Sequence, residues 1–147
     1  FRRVLFRSIA HENDAKIKRL AGKIDRVLVD APCSGFGTLR RNPDVKWRQT
    51  ADGVDELNTK QLSILEGAAR LVKPGGLLVY ATCSMLVEEN EHIVEQFLAK
   101  HPTYTLRPMS QILAEQKIEL AMGDYLKLMP HLHQTDGFFA AAMERAK

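Results

Sequence analysis

The sequence predicts an α/β fold built on a parallel sheet, and three observations carry that expectation. Val27, Leu28 and Val29 form a short apolar run with no polar alternation, as in a strand buried on both faces. Leu77–Ala81, LLVYA, is a second such run. Between them, Leu57, Ile64, Leu65, Ala68 and Leu71 recur at helical spacing. Strand, crossover helix and strand make a right-handed βαβ unit, so the two strands are expected to be parallel.

Taken in order, Phe1–Ser8, FRRVLFRS, does not join naturally to the chain beyond it and is set aside as a non-native or scar segment. Ile9 and Ala10 read as the end of a strand, and His11–Asp14 as loop. Ala15–Leu20 reads as a short helix with Ile17 and Leu20 inward, closed by Gly22 at a left-handed position. The first strand then runs over Ile24–Val29.

Asp30 ends that strand, and Pro32 forbids both a ladder donor and a helical Ala31. Ser34, Gly35 and Gly37 keep the next residues irregular and allow close backbone approach. Asp30 and Cys33 are thereby displayed past the carboxyl end of a strand, the edge at which open α/β sheets bind ligands.

Residues 38–50, TLRRNPDVKWRQT, form a long loop in which Arg40, Arg41, Lys46 and Arg48 surround Trp47. Basic residues interleaved with an aromatic suit phosphate contact and base stacking. A solvated loop whose Trp47 caps the core fits the same residues equally well. Asp52 or Asp55 is the expected cap of the helix that runs to about Val72, and Pro74, Gly75 and Gly76 are expected to stop it.

The second strand ends in Thr82, Cys83 and Ser84, which places Cys83 on the same sheet edge as Cys33. The Thr82 and Ser84 hydroxyls read as local caps. Glu88, Glu89 and Glu91 suit the dipole at the start of the next helix, with Ile93, Val94, Phe97 and Leu98 inward and His101–Pro102 at its end. Further strands are expected near Tyr104–Leu106, over Tyr125–Met129 and over Gly137–Met143, with Pro130–Asp136 as loop. Phe138 and Phe139 read as core, and Asp136 as a turn cap.

Composition narrows the classes. The chain has 147 residues, 45% hydrophobic and 27% charged, as in a globular domain of ordinary size. No apolar run approaches the roughly 20 residues of a membrane span, and no signal peptide is evident, so a cytoplasmic location is expected. A net charge of +3 and a pI near 9.0 tolerate a nucleic-acid partner without arguing for one. Two cysteines fifty residues apart are no disulfide framework. With His131 and His133 they match no usual zinc spacing, so no metal is expected.

DAPCSG, KPGG followed by LLVYATCS and EEN, and DGFF near the end resemble motifs of the RNA (cytosine-5) methyltransferases. RRNPDVKW strengthens the similarity toward the bacterial Fmu/Sun (RsmB) group, which methylates 16S ribosomal RNA. The resemblance covers roughly Ile9 to Arg145 and implies a Rossmann-like fold that uses S-adenosylmethionine. It implies that Cys83, the cysteine of TCS, adds to C6 of cytosine and makes C5 nucleophilic toward the cofactor's methyl group. Loss of the C5 proton and β-elimination then free the enzyme. By the same resemblance Cys33 assists product release. Asp30 lies near cofactor and target base, where it can hydrogen-bond the cytosine N3/N4 edge, and Pro32 fixes the turn beside the cofactor. Arg40, Arg41 and Lys46 become candidate phosphate contacts.

One departure stands out. Nothing upstream of Asp25 supplies the Gly-rich loop and the acidic strand end that hold the cofactor in such folds. Glu12 or Asp14 stands near where a further cofactor-contacting acid is expected. Residues 9–147 are therefore read as the C-terminal part of a catalytic domain, a monomer expected to bind S-adenosylmethionine weakly or not at all alone. Two rivals remain. One is a thiol redox protein using Cys33 and Cys83, which needs their Cα atoms within about 7 Å. The other is a non-catalytic RNA-binding fragment held by the basic loop.

Overall fold

The computed structural model describes residues 15–147. The expectations for Phe1–Ser8, Ile9–Ala10 and His11–Asp14 fall outside them. A short helix α1 (Ala15–Lys18) leads into a turn where Gly22 takes φ +66°. Leu20 is 40% exposed, not inward as expected, because the helix ends before its position completes a second turn.

Strand β1 (Ile24–Asp30) pairs in parallel with β2 (Val72–Thr82), as the two apolar runs predict. β2 is longer than expected. Val72 already faces Ile24, and the next paired positions are Arg26 and Leu77, so two residues on β1 oppose five on β2. Lys73–Gly76 is thus a bulge within the ladder and not the stop of a helix, with Gly75 at φ +72° making the bend.

The intervening helix α3 (Ala51–Ala69), preceded by a single turn α2 (Val45–Arg48), ends three residues before Val72. Its cap is Thr50, whose hydroxyl accepts the Gly53 N–H at 3.1 Å; neither Asp52 nor Asp55 takes that place. Its buried stripe is Gln61, Leu65 and Ala69, at four-residue spacing, while Ile64 is 40% exposed.

A 3-10 turn at Val87–Glu89 precedes α4 (Glu91–Lys100), whose Ile93, Val94 and Phe97 are buried as expected. The Tyr104 hydroxyl of β3 (Tyr104–Arg107) donates to the Ala69 carbonyl at the end of α3, at 2.7 Å. The variable region contains α5 (Met109–Glu115), and β4 (Leu126–Leu128) comes next. Pro130–His133 is a helical turn α6, not loop throughout; Pro130 supplies its fixed φ at the first turn. The last strand, β5 (Phe138–Arg145), runs antiparallel to β2, β3 and β4.

The sheet order is β1-β2-β5-β3, with β4 also on β5. Val29, Leu78, Tyr80, Phe139, Ala141 and Met143 pack with Leu65, Ala69, Val94 and Phe97 in the core, against α3 and α4. β1 departs from the expectation of burial on both faces. Its Val29 is buried, whereas Leu28 is 68% exposed and Asp30 is exposed. The reason is positional: α3 packs on the Val29 face of β1, which among the described residues is also an edge strand, and leaves the Leu28 face open. Among the described residues no helix is long and apolar enough to cross a membrane.

Candidate active site

The carboxyl ends of β1 and β2 carry Asp30 and Thr82 respectively, so the loops after them start side by side. The Ala31 N–H donates to Ala81 O at 2.9 Å, extending the parallel ladder one step into the turn. Cys33 and Cys83 meet beyond it. Their sulfurs are 3.4 Å apart across fifty residues of chain, and both thiols are free.

Burial, reinforced by the Cys83 contact, pushes the Cys33 thiol up to about 12. Desolvation disfavours the anion, and a neighbouring sulfur that accepts its S–H favours the protonated form. Cys33 therefore stands as a neutral S–H beside Cys83 across the physiological range.

The loop that presents Cys33 is held by a buried carboxylate. Glu89, wholly buried, accepts the Ser34 N–H at 2.7 Å and the Ser34 hydroxyl at 2.5 Å. The Gln61 side-chain amide donates to the same carboxylate at 3.1 Å and to Pro32 O at 2.9 Å. Two acceptors facing that group fix which end of the amide is the nitrogen. The Ser34 and Ser84 hydroxyls are 3.2 Å apart, joining the two cysteine loops one residue past each thiol. Thr82 and Ser84 behave as local caps: the Thr82 oxygen accepts Ser84 N–H, and the Ser84 oxygen accepts Leu86 N–H.

A third loop closes on these two. Gly37 N–H donates to Cys83 O at 2.9 Å, and Gly137 N–H donates to Gly37 O at 2.8 Å. Arg41 and Asp136 form an ion pair across the same junction, so Asp136 braces the basic loop. Phe139 is buried in the core as expected, while Phe138 is half-buried.

The remaining candidates are less gathered. Asp30 is exposed at the end of the edge strand, on the uncovered side of the sheet with Leu28. Pro32 is exposed, its carbonyl fixed by Gln61. Arg40 and Lys46 are exposed, and the Lys46 ammonium lies 4.8 Å from the centre of the Trp47 ring. Trp47 itself is 80% exposed, which removes the core-capping reading of that loop. Among the described residues no group of three or more His, Cys, Asp or Glu side chains could hold a metal ion.

Sequence reasoning missed Ser34, Gln61 and Glu89 as parts of this site. Gln61 lies one helical repeat before Leu65, which was the available sign of an inward amide. Glu89 carried no such sign, since an acidic residue ahead of a helix is expected on dipole grounds alone.

Comparison with known proteins identifies the family. The model of the family described as 16S rRNA methyltransferase RsmB/F matches residues 2–144. A Synechocystis sp. protein named "Probable ribosomal RNA small subunit methyltransferase B" is 42% identical over 123 residues, covering 84% of this chain and 28% of that protein. Of solved structures, one titled as PH0851 superposes with a TM-score of 0.74 at 39% identity, over 85% of this chain and 27% of its own. NSun6 from Pyrococcus horikoshii, solved with SFG, gives a TM-score of 0.65 at 29% identity, over 82% of this chain and 29% of its own. The chain thus spans under a third of the length of each of these three relatives.

Proposed function

The chain belongs to the 16S rRNA methyltransferase RsmB/F family, and from that membership we propose that residues 9–147 are the C-terminal part of a catalytic domain that methylates C5 of cytosine in ribosomal RNA. The observation that carries the reading is the contact of two free thiols, 3.4 Å apart, where two parallel strands end. Residues 1–8 are left outside the proposed domain.

In this reading Cys83 is the nucleophile. Its thiolate forms an S–C6 bond to cytosine, and once C5 carries the new methyl group its proton passes to water and the S–C6 bond breaks by β-elimination. Cys33, held protonated by its burial, donates its S–H toward the departing Cys83 sulfur and so assists product release. Asp30, exposed at the strand end, is placed to hydrogen-bond the cytosine N3/N4 edge and to hold the base protonated for attack at C6.

The donor set at this edge also fits one side of S-adenosylmethionine. Asp30 offers an exposed carboxylate to a cationic group, and Pro32 keeps the adjoining backbone fixed, with its carbonyl engaged by Gln61. The cofactor supplies an electrophilic methyl group on a sulfonium. NSun6, a relative solved with SFG, supports S-adenosylmethionine as the class of cofactor. Only one flank is offered by the described residues, so the chain alone is proposed to bind the cofactor weakly and to be inactive. Arg40, Arg41 and Lys46 are proposed to meet RNA phosphates, with Trp47 free for a base.

Of the rivals, the redox reading draws on the same 3.4 Å contact of two free thiols. Family membership weighs against it. The deciding experiment takes the full-length protein with Cys83→Ala and Cys33→Ala, incubated with ribosomal RNA and labelled S-adenosylmethionine. Loss of methylation in Cys83→Ala, with a trapped covalent RNA adduct in Cys33→Ala, is the expected result. Methylation by both variants would overturn it, and RNA binding with no cofactor affinity would favour a non-catalytic binding protein.

A further inference from the structure

The two-thiol mechanism leaves a wholly buried carboxylate without a role. Glu89 sits in a 3-10 turn six residues after Cys83, and α3 and the Cys33 loop converge on it. Ser34, Gln61, Ser84 and Asn90 around it are all buried, so its partners compete with little water. A carboxylate in such a place is costly unless each oxygen is hydrogen-bonded, and here both are.

We propose that Glu89 is a positioning residue that clamps the Cys33 loop onto the Cys83 loop and so sets the separation of the two sulfurs. The assignment rests on the reading of Cys33 and Cys83 as a working pair. The geometry is specific. Glu89 takes both the backbone N–H and the hydroxyl of Ser34, the residue directly after Cys33. The Gln61 amide bridges from the carboxylate to Pro32 O, directly before Cys33. Cys33 is thus gripped on both sides through one carboxylate. On the other side, the Tyr80 hydroxyl donates to the Glu89 carbonyl at 2.7 Å, anchoring the clamp to β2, whose next loop carries Cys83. The Asn90 side chain adds bonds to Thr82 and to Ser84 O, on either side of Cys83. Adjacent residues 89 and 90 therefore fix the neighbours of the two thiols, one loop each.

The test reads the thiol pair directly and needs no methyl transfer. The chain is equilibrated with mixtures of reduced and oxidised glutathione. Cys33 and Cys83 each give up a hydrogen to a glutathione sulfur, one S–S bond forms between them, and one oxidised glutathione becomes two reduced molecules. The equilibrium reports the effective concentration of one thiol at the other. Glu89→Ala, which removes the three hydrogen bonds from Ser34 and Gln61 to the carboxylate, is expected to lower that concentration on the order of tenfold. Glu89→Gln keeps an acceptor for Ser34 N–H and Gln61 and is expected to retain most of it. Tyr104→Phe removes a buried hydrogen bond far from the thiols and should leave it unchanged.

A folded Glu89→Ala chain within about twofold of the original would overturn the clamp. If Glu89→Ala does not fold, the double variant Ser34→Ala, Gln61→Leu decides. It removes the Ser34 hydroxyl bond and the Gln61 bridge and leaves Glu89 only the Ser34 N–H, and an unchanged equilibrium would overturn the proposal equally. The two readings fail separately. A dispensable Glu89 leaves Cys83 as nucleophile untouched, while methylation by Cys83→Ala leaves the measured thiol separation standing.

Discussion

Gly37 and Gly137 meet backbone to backbone, 100 residues apart in sequence, and close the three loops of the site on one another. A Cβ on Gly37 would fall 2.2 Å from Gly137 O and 2.7 Å from Cys83 O, both backbone atoms with no side chain to swing away. Gly37→Ala is therefore expected to destabilise the fold by about 1–3 kcal/mol, as overpacking does. Gly123→Ala meets nothing within 4 Å and should be near neutral. Urea unfolding of both variants checks the contrast, and a Gly37→Ala midpoint equal to that of Gly123→Ala would refute the close approach.

The raised Cys33 thiol makes a prediction about pH whose sign is set by its direction. The group sits at about 12 in the fold against an ordinary value of 9.0, so folding favours its protonated form. That contribution is fully present below pH 9 and is lost as pH rises toward 12, because only the unfolded chain ionises in that window. Unfolding should become easier as pH rises from 9 toward 12 in the original chain, and less steeply so in Cys33→Ala. Some slope should survive, since burial raises the Tyr80 phenol in the same direction. Equal slopes in the two proteins would show that Cys33 is not the group concerned.

Much of this site was written in the sequence, for a physical reason. Cys33 and Cys83 each come after an apolar run, and parallel pairing forces both onto one edge. Their shared edge was implied once the βαβ unit was read, but the contact of their sulfurs was not. The burial of Glu89 was not, because it depends on Ser34 and Gln61, 55 and 28 residues away, aiming donors at one point. Nor was the exposure of Leu28. An apolar run states that a strand prefers burial, but whether anything covers it depends on the neighbouring strands. The PGG sequence misled for a related reason. Glycine and proline mark a bend without saying whether a helix end or a ladder bulge makes it, and the pairing of Val72 with Ile24 decided for the bulge.

The basic loop separates binding from stability. Trp47 is 80% exposed, so Trp47→Ala should leave unfolding unchanged. If a base stacks on the ring, the same change should weaken RNA binding by the full-length protein by about 1–3 kcal/mol. Arg40→Ala should instead weaken binding with little regard to sequence and lower the salt slope by about one ion. Arg41→Ala should do both, since its guanidinium also holds Asp136 at the loop junction. Filter binding over a salt series reads all three, and unaltered affinity in every variant would remove this loop from the RNA interface.

Leu28 offers a test of the proposed domain that needs no chemistry. On the free face of β1 it is 68% exposed, so Leu28→Asp should change the stability of this chain by no more than about 0.5 kcal/mol. If the chain is the later part of a larger sheet, preceding strands and helices cover that face in the full-length protein. A buried, unpaired carboxylate there would cost several kcal/mol, or prevent folding. The same substitution should therefore be silent in one context and severe in the other, as read by thermal unfolding of the two proteins side by side. Equal, small effects would mean that Leu28 stays on the surface and that the upstream part of the catalytic domain packs elsewhere.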